Sequence, residues 1–158
     1  MNLTNNKIQL NKIKHGGLII KYFFDKLMNI IELENCKKGF ILKGFLNHYN
    51  YGHFIIFLEL IDHGNFIGAM IRTNNRNDLN LLMSDNHFLN EFENGTKCLL
   101  SYNDSHLVIA KLNKFFMMGP FQLYGQLSTE GINFVEENIN HLLLENWEEY
   151  LIRTGQIK

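Results

Sequence analysis

Residues 53–73 read HFIIFLELIDHGNFIGAMIRT, and this stretch decides the fold. Two apolar runs, 53–62 and 65–73, are joined by the two-residue link His63-Gly64. Runs rich in β-branched and aromatic residues form strands, and a two-residue link that contains glycine is typical of a β-hairpin. The stretch therefore predicts two antiparallel strands at the centre of a sheet.

Further strands are predicted on both sides of this hairpin. Residues 40–46 are apolar and end in a polar turn, and residues 121–127 alternate like a strand. A second hairpin is predicted for residues 97–102 and 105–112, which flank the turn dipeptide Asn103-Asp104. Between the hairpins, Ser84-Asp85 are suited to cap a brief helix over 86–94.

Helices are predicted at both ends of the chain. Residues 27–33 place apolar side chains at helical spacing, which predicts a short helix. The residues from 18 onward either belong to the same helix or form a strand. Near the other end, Ser128 and Glu130 are typical of a helix start. One apolar stripe at spacings near 3.6 then predicts a single long helix over about 129–152, and it consists of Val135, Ile139, Leu142, Leu143, Tyr150 and Leu151.

Together these elements predict an α+β fold in one domain. A chain of 158 residues matches one domain of roughly 150 residues, and no linker or repeat divides it. The domain covers residues 1–158, with a mostly antiparallel β-core over about 38–127 and helices before and after it.

Composition excludes several classes of protein. Hydrophobic residues make up 46% of the chain, which is enough for a core and excludes a disordered protein. The formal charge of −1 excludes a strong basic field, so nucleic acid would be contacted through a local patch. Cys36 and Cys98 are too few and too far apart for a disulfide framework or a zinc cluster, and no metal or other cofactor is predicted. The polar start of the chain and the lack of a 20-residue apolar run predict a cytoplasmic protein with no membrane contact.

Three segments carry a resemblance to a known family. They are Lys38-Gly39-Phe40-Ile41-Leu42, then 52–58, which begins Gly52-His53, and 66–73, which ends in Thr73. Their order and residue pattern resemble the first strands of the MazF/PemK-type toxins and the related ToxN-type toxins. The resemblance implies a small antiparallel SH3-like β-barrel and an endoribonuclease that cuts single-stranded RNA without a metal. It also implies a homodimer and a cognate antitoxin as partners.

Two positions of the family's active site fall on this chain at His53 and Thr73. The family has Arg-Pro where this sequence has His53-Phe54, and Arg72 is a substitute cation next to Thr73. Neighbours on a strand point to opposite faces, so Arg72 and Thr73 are expected on different sides of it. A long segment before Lys38 is also absent from the compact toxins.

Metal-free RNA cleavage needs a proton acceptor, a proton donor and groups that bind the phosphate. Histidine titrates near neutrality and can fill either proton role, whereas hydroxyls and a guanidinium hold phosphate oxygens. We predict His53 as base or acid, with His106 or His87 as the second proton carrier. Arg72 and the hydroxyls of Thr73 and Ser105 would bind the phosphate.

Two other interpretations compete with the nuclease. One is a non-catalytic SH3-like module that binds a protein or nucleic acid, as in an immunity or defence accessory. Catalysis requires at least two of the His, Thr and Arg side chains in one cleft, whereas the binding module does not. The other is a winged-helix protein, because residues 127–138 resemble the strand-to-helix ending of that fold; the basic recognition helix of such a protein is missing from the sequence.

Overall fold

A computed structural model describes residues 30–45, 52–73, 79–100 and 104–158. Apart from Ile30, these residues belong to one compact unit, Ile31–Lys158. The helix predicted for residues 18–33 lies almost wholly outside the described residues. Within them, no helix is long and apolar enough to cross a membrane.

Over the described residues the fold is α+β, as predicted, and is built on a mostly antiparallel sheet of eight strands. The strands are β1 (Phe40–Phe45), β2 (Gly52–Asp62), β3 (Asn65–Arg72), β4 (Asn80–Leu82), β5 (His106–Val108), β6 (Lys111–Leu112), β7 (Gln122–Gln126) and β8 (Leu144–Glu145). Six of them lie in the order β4-β5-β3-β2-β1-β7, while β6 pairs with β3 and, in parallel, with β8. Over the described residues the sheet is not closed.

The remaining elements are short. Helix α1 covers Thr129–Ile139 and helix α2 covers Trp147–Arg153. In the described part of the chain, three 3₁₀ turns lie at Leu33–Asn35, Asp85–His87 and Phe115–Met118. The brief helix predicted over 86–94 is therefore wrong in extent, because only the capped turn at 85–87 forms and Phe88 then pairs with Leu127.

The central hairpin is confirmed. β2 and β3 pair antiparallel from Asp62↔Asn65 down to Phe54↔Ile71, and Gly64 makes the turn possible with a φ of +93°. Two β-bulges in β2 shift the register on the way. The strand predicted over 121–127 is confirmed as β7, which pairs with β1.

The second predicted hairpin, of which residues 101–103 lie outside the described residues, is wrong over the rest of its length. β5 pairs with β3 and β4, and not with residues 97–100. The backbone N–H groups of Leu99 and Leu100 instead donate to the carbonyl of Tyr124. Burial explains why β5 pairs with β3 and β4, because Leu107 of β5 is completely buried between these two strands whereas Leu99 is 58% exposed.

The predicted single helix over 129–152 is also wrong, because the chain forms two helices there. α1 begins at its predicted cap, where the Ser128 hydroxyl accepts a hydrogen bond from the Gly131 N–H at 3.1 Å. Asn146 then caps α2, accepting from the Glu149 N–H at 3.0 Å while its own N–H donates to the Glu149 carboxylate. Between the helices the backbone pairs with β6, and Leu143 of the predicted stripe is 90% exposed.

Each face of the sheet carries its own core, because side chains along a strand alternate between faces. On one face Leu42, Ile55 and Met70 are buried together with Tyr150 of α2, and we call this the α2 face. On the other face Ile41, Ile56, Ala69 and Ile71 pack with Val135 and Ile139 of α1, and we call this the α1 face.

Candidate functional site

Three of the predicted site residues lie side by side on the α2 face. Arg72, the last residue of β3, pairs directly with His106, the first residue of β5. The pair Phe54↔Ile71 places His53 opposite Arg72 one position further along the hairpin. Adjacent strands are about 4.8 Å apart, so the Cα atoms of His53 and His106 lie on either side of that of Arg72 and about 10 Å from each other. We call His53, Arg72 and His106 the cross-strand row.

Trp147 of α2 packs over this row. The guanidinium carbon of Arg72 lies 5.1 Å from the centre of the Trp147 ring, and the His53 ring lies 6.4 Å from it. The indole also stacks on Tyr150 at 5.0 Å, and Tyr150 is buried. A cation over an indole is held by the charge distribution of the ring, so Trp147 fixes the orientation of Arg72.

No sequence motif marks Trp147 as a site residue. It is the only tryptophan of the chain and directly follows Asn146, the cap of α2. Recognising that cap would have placed the indole in the first turn of a separate helix. Its position over the row follows from tertiary packing alone.

The two histidines have different surroundings. Burial lowers the pKa of His53, and the nearby charge of Arg72 lowers the pKa further. His53 is therefore neutral at neutral pH and has one nitrogen that can accept a proton. The Nδ1 of His106 lies 2.7 Å from the carbonyl oxygen of Asp104. A carbonyl only accepts, so Nδ1 carries a hydrogen and Nε2 is the nitrogen left for proton transfer.

Thr73 and Ser105 lie on the opposite face, as the alternation of side chains requires. Together with Phe54, Leu99 and Leu100 they line a pocket of about 220 Å³ on the α1 face. Thr73 is exposed and Ser105 is buried, with its carbonyl accepting from the Met83 N–H. The two hydroxyls are therefore together, but separated by the sheet from the imidazoles of the cross-strand row.

His87 lies apart from both groups. It ends the 3₁₀ turn at Asp85–His87, where its Nδ1 accepts from the Ser84 N–H at 3.3 Å. Its ring packs against Phe134 of α1 at 4.5 Å. Through these contacts His87 holds the 3₁₀ turn against α1. His87 therefore does not lie near the cross-strand row.

Neither cysteine provides a reactive thiolate. Burial raises the pKa of Cys36 to about 12, and the pKa of Cys98 is also raised, first by burial. Among the residues that the structure describes, no group of three or more His, Cys, Asp and Glu side chains is arranged to hold a metal ion. The cross-strand row is thus the strongest concentration of proton-transfer groups in the described chain.

Comparison with known proteins finds no match: no family model, no curated protein and no solved structure is similar to this chain. The functional assignment therefore rests on the geometry of the cross-strand row.

Proposed function

We propose that the protein is a metal-independent endoribonuclease that cuts single-stranded RNA at the cross-strand row. The observation that carries the proposal is the pairing of β2, β3 and β5, which sets His53 and His106 on either side of Arg72. Two imidazoles and one guanidinium provide the base, the acid and the cation that cleavage next to a 2′-hydroxyl requires.

The lowered pKa of His53 suits it to be the base, and His106, whose Nε2 is left for proton transfer, is then the acid. Neutral His53 takes the proton of the 2′-hydroxyl, and the 2′-oxygen then forms a bond to phosphorus. The bond from phosphorus to the 5′-oxygen breaks, and the leaving oxygen takes the proton on Nε2 of His106. The products are a 2′,3′-cyclic phosphate and a 5′-hydroxyl. Arg72 balances the charge that builds up on the phosphoryl oxygens.

The finer predictions form part of this proposal. The resemblance to the MazF/PemK-type toxins supports the SH3-like barrel, the homodimer and the cognate antitoxin, and the lack of a 20-residue apolar run supports the cytoplasmic location. Thr73 and Ser105 are not assigned to the reacting phosphate, because they line the other face of the sheet. His87 is not assigned to proton transfer.

The test is cleavage of a mixed-sequence single-stranded RNA by the purified protein in EDTA. We expect cuts that end in a cyclic phosphate, and a loss of about 10²–10⁴-fold in rate for His53→Ala and for His106→Ala. His63→Ala is the matched control, since His63 lies in the turn at the far end of the same hairpin and is exposed. That variant should cut like the wild type.

Three results would overturn parts of the proposal. Cuts that persist in both His53→Ala and His106→Ala would place the activity elsewhere. Equal losses in His63→Ala would indicate a general effect on folding, which urea denaturation of each variant checks. RNA that is bound but never cut would favour the non-catalytic binding module.

A further inference from the structure

The cross-strand row continues onto β4. Leu82 of β4 pairs with His106, so its side chain lies beside the imidazole on the α2 face. The Met83 N–H donates a hydrogen bond to the Ser105 carbonyl at 2.9 Å. Hydrogen-bonded and non-hydrogen-bonded pairs alternate along an antiparallel ladder, so Leu82 and His106 form a non-hydrogen-bonded pair, in which the Cα atoms are only about 4.5 Å apart. Leu82 is therefore the direct neighbour of the acid in the proposed reaction.

The other end of the row is closed. On that side His53 pairs with Gly44 of β1. A Cβ placed on Gly44 would lie 3.0 Å from the Cβ of Met118 and 3.1 Å from the ring of Phe121. Both of these side chains are buried. The space over β1 is thus filled by the protein itself, and the row cannot extend a ligand in that direction.

The end of the row at β4 is open. In the described part of the chain β4 is the last strand of the sheet order, and no strand pairs with its outer side. Leu82 is 60% exposed there, whereas Asn80, on the same face of the same strand, is buried. The strand therefore buries its amide and presents an apolar side chain to solvent at the position next to His106.

The roles of the two histidines orient an RNA strand along the row. His53 takes the proton of the 2′-hydroxyl, which belongs to the nucleotide before the cut bond. His106 protonates the 5′-oxygen, which belongs to the nucleotide after it. The nucleoside that leaves with the 5′-oxygen is thus on the side of His106 that faces β4, where the open end of the row has room for it. Its base has an apolar face, and packing that face on an exposed leucine removes apolar surface of both from water.

We infer that Leu82 forms the binding subsite for the nucleoside on the 3′ side of the cut bond. The inference rests on the proposed function. Since the row has no open position beyond His53, the nuclease should depend on the base after the cut through Leu82.

The experiment measures cleavage in EDTA of a deoxy strand that contains a single ribonucleotide, so that only one bond can be cut. A second strand is identical but lacks the base of the nucleotide on the 3′ side of that bond. Leu82→Ala should slow cleavage of the first strand about 5- to 30-fold, the loss expected when part of the apolar contact of a leucine is removed. It should leave cleavage of the second strand unchanged. Leu81→Ala is the matched control, because Leu81 is an exposed leucine of the same strand that pairs with Leu107 of the α1 face, and it should cut both strands like the wild type.

Methyl NMR spectra provide a readout that does not need cleavage. A dinucleotide with a 2′-deoxy sugar before the phosphate cannot be cut by this mechanism. The ring current of its second base should shift the Leu82 methyl resonances, and the same compound without that base should not shift them.

Two outcomes would overturn the inference. One is equal slowing of both strands by Leu82→Ala, which would show that the leucine acts on folding or on His106 and not on the base. The other is Leu82 methyl resonances that do not respond to the dinucleotide. The proposed function fails separately. Base-dependent shifts without RNA cleavage would leave the subsite and remove the nuclease, whereas cleavage that Leu82→Ala does not alter would leave the nuclease and remove the subsite.

Discussion

Gly131→Ala tests the close contact between α1 and the 3₁₀ turn at Asp85–His87. Gly131 is the third residue of α1 and is buried. A Cβ placed there would collide with the backbone carbonyl oxygen of His87 and would lie 3.0 Å from its carbonyl carbon. The same carbonyl accepts a hydrogen bond from the Ser128 N–H at 2.9 Å. The helix and the 3₁₀ turn are therefore in backbone contact at this glycine.

Two effects of opposite sign decide the result. Replacing glycine by alanine inside a helix stabilises it by up to about 1 kcal/mol. Overpacking costs about 1–3 kcal/mol, and a backbone carbonyl cannot rotate away as a side chain can. Loss of the Ser128–His87 hydrogen bond adds about 1 kcal/mol. We expect the free energy of unfolding to fall by roughly 2 kcal/mol, which the total of about 5–15 kcal/mol tolerates.

Urea denaturation measures this change. With a slope of about 2 kcal/mol per molar urea, the midpoint should fall by about 1 M. Asn133→Ala is the control, because Asn133 is an exposed residue of the same helix and its replacement should stabilise by a few tenths of a kcal/mol. If Gly131→Ala raised the midpoint as Asn133→Ala does, the close contact between α1 and the 3₁₀ turn would be refuted.

Three further measurements address the electrostatics. Because the pKa of His53 is lowered by folding, the unfolded chain binds more protons below about pH 6.5, so the free energy of unfolding should decrease as the pH falls through that region. His53→Gln should remove this part of the pH dependence, and an unchanged profile would contradict the assignment. A double-mutant cycle with Arg72→Met and Trp147→Leu should give a coupling of about 1 kcal/mol, and a value near zero would show that the indole does not hold the guanidinium. In urea denaturation, Arg153→Met should cost more stability than Glu145→Gln, because Arg153 donates two hydrogen bonds to a carboxylate that is only 13% exposed and would be left unpaired; equal losses would refute this asymmetry.

The sequence predicted those elements that have a local signal. The central hairpin has two long runs and a glycine link, and the start of α1 has a capping hydroxyl, so both could be placed before the structure was known. β4, β5, β6 and β8 have two or three residues each and show no period. Their partners are decided by burial in the whole sheet, which a local pattern does not contain.

The site was predicted in part. A regular hairpin with its turn at His63-Gly64 would place Asn74 opposite His53. The two bulges in β2 shift the pairing by two residues, so Arg72 and not Asn74 lies opposite His53. A shift of two residues leaves each side chain on the same face of the sheet. No sequence signal fixed these bulges, or the pairing of Arg72 with His106. The expectation that Arg72 and Thr73 point apart needed only the alternation of a strand.

The long separation in sequence between the cross-strand row and Trp147 sets the order in which their contacts can form during synthesis. Trp147 follows His53 by more than ninety residues, and β7 follows β1 by more than seventy. Contacts of such high contact order form late, after the intervening chain has left the ribosome. A nascent chain that has reached α1 already contains His53, Arg72 and His106, but nothing yet covers the guanidinium. The contact between Arg72 and Trp147 can thus form only after α2 has been made, whereas the pairing of β2, β3 and β5 needs only the chain up to Val108.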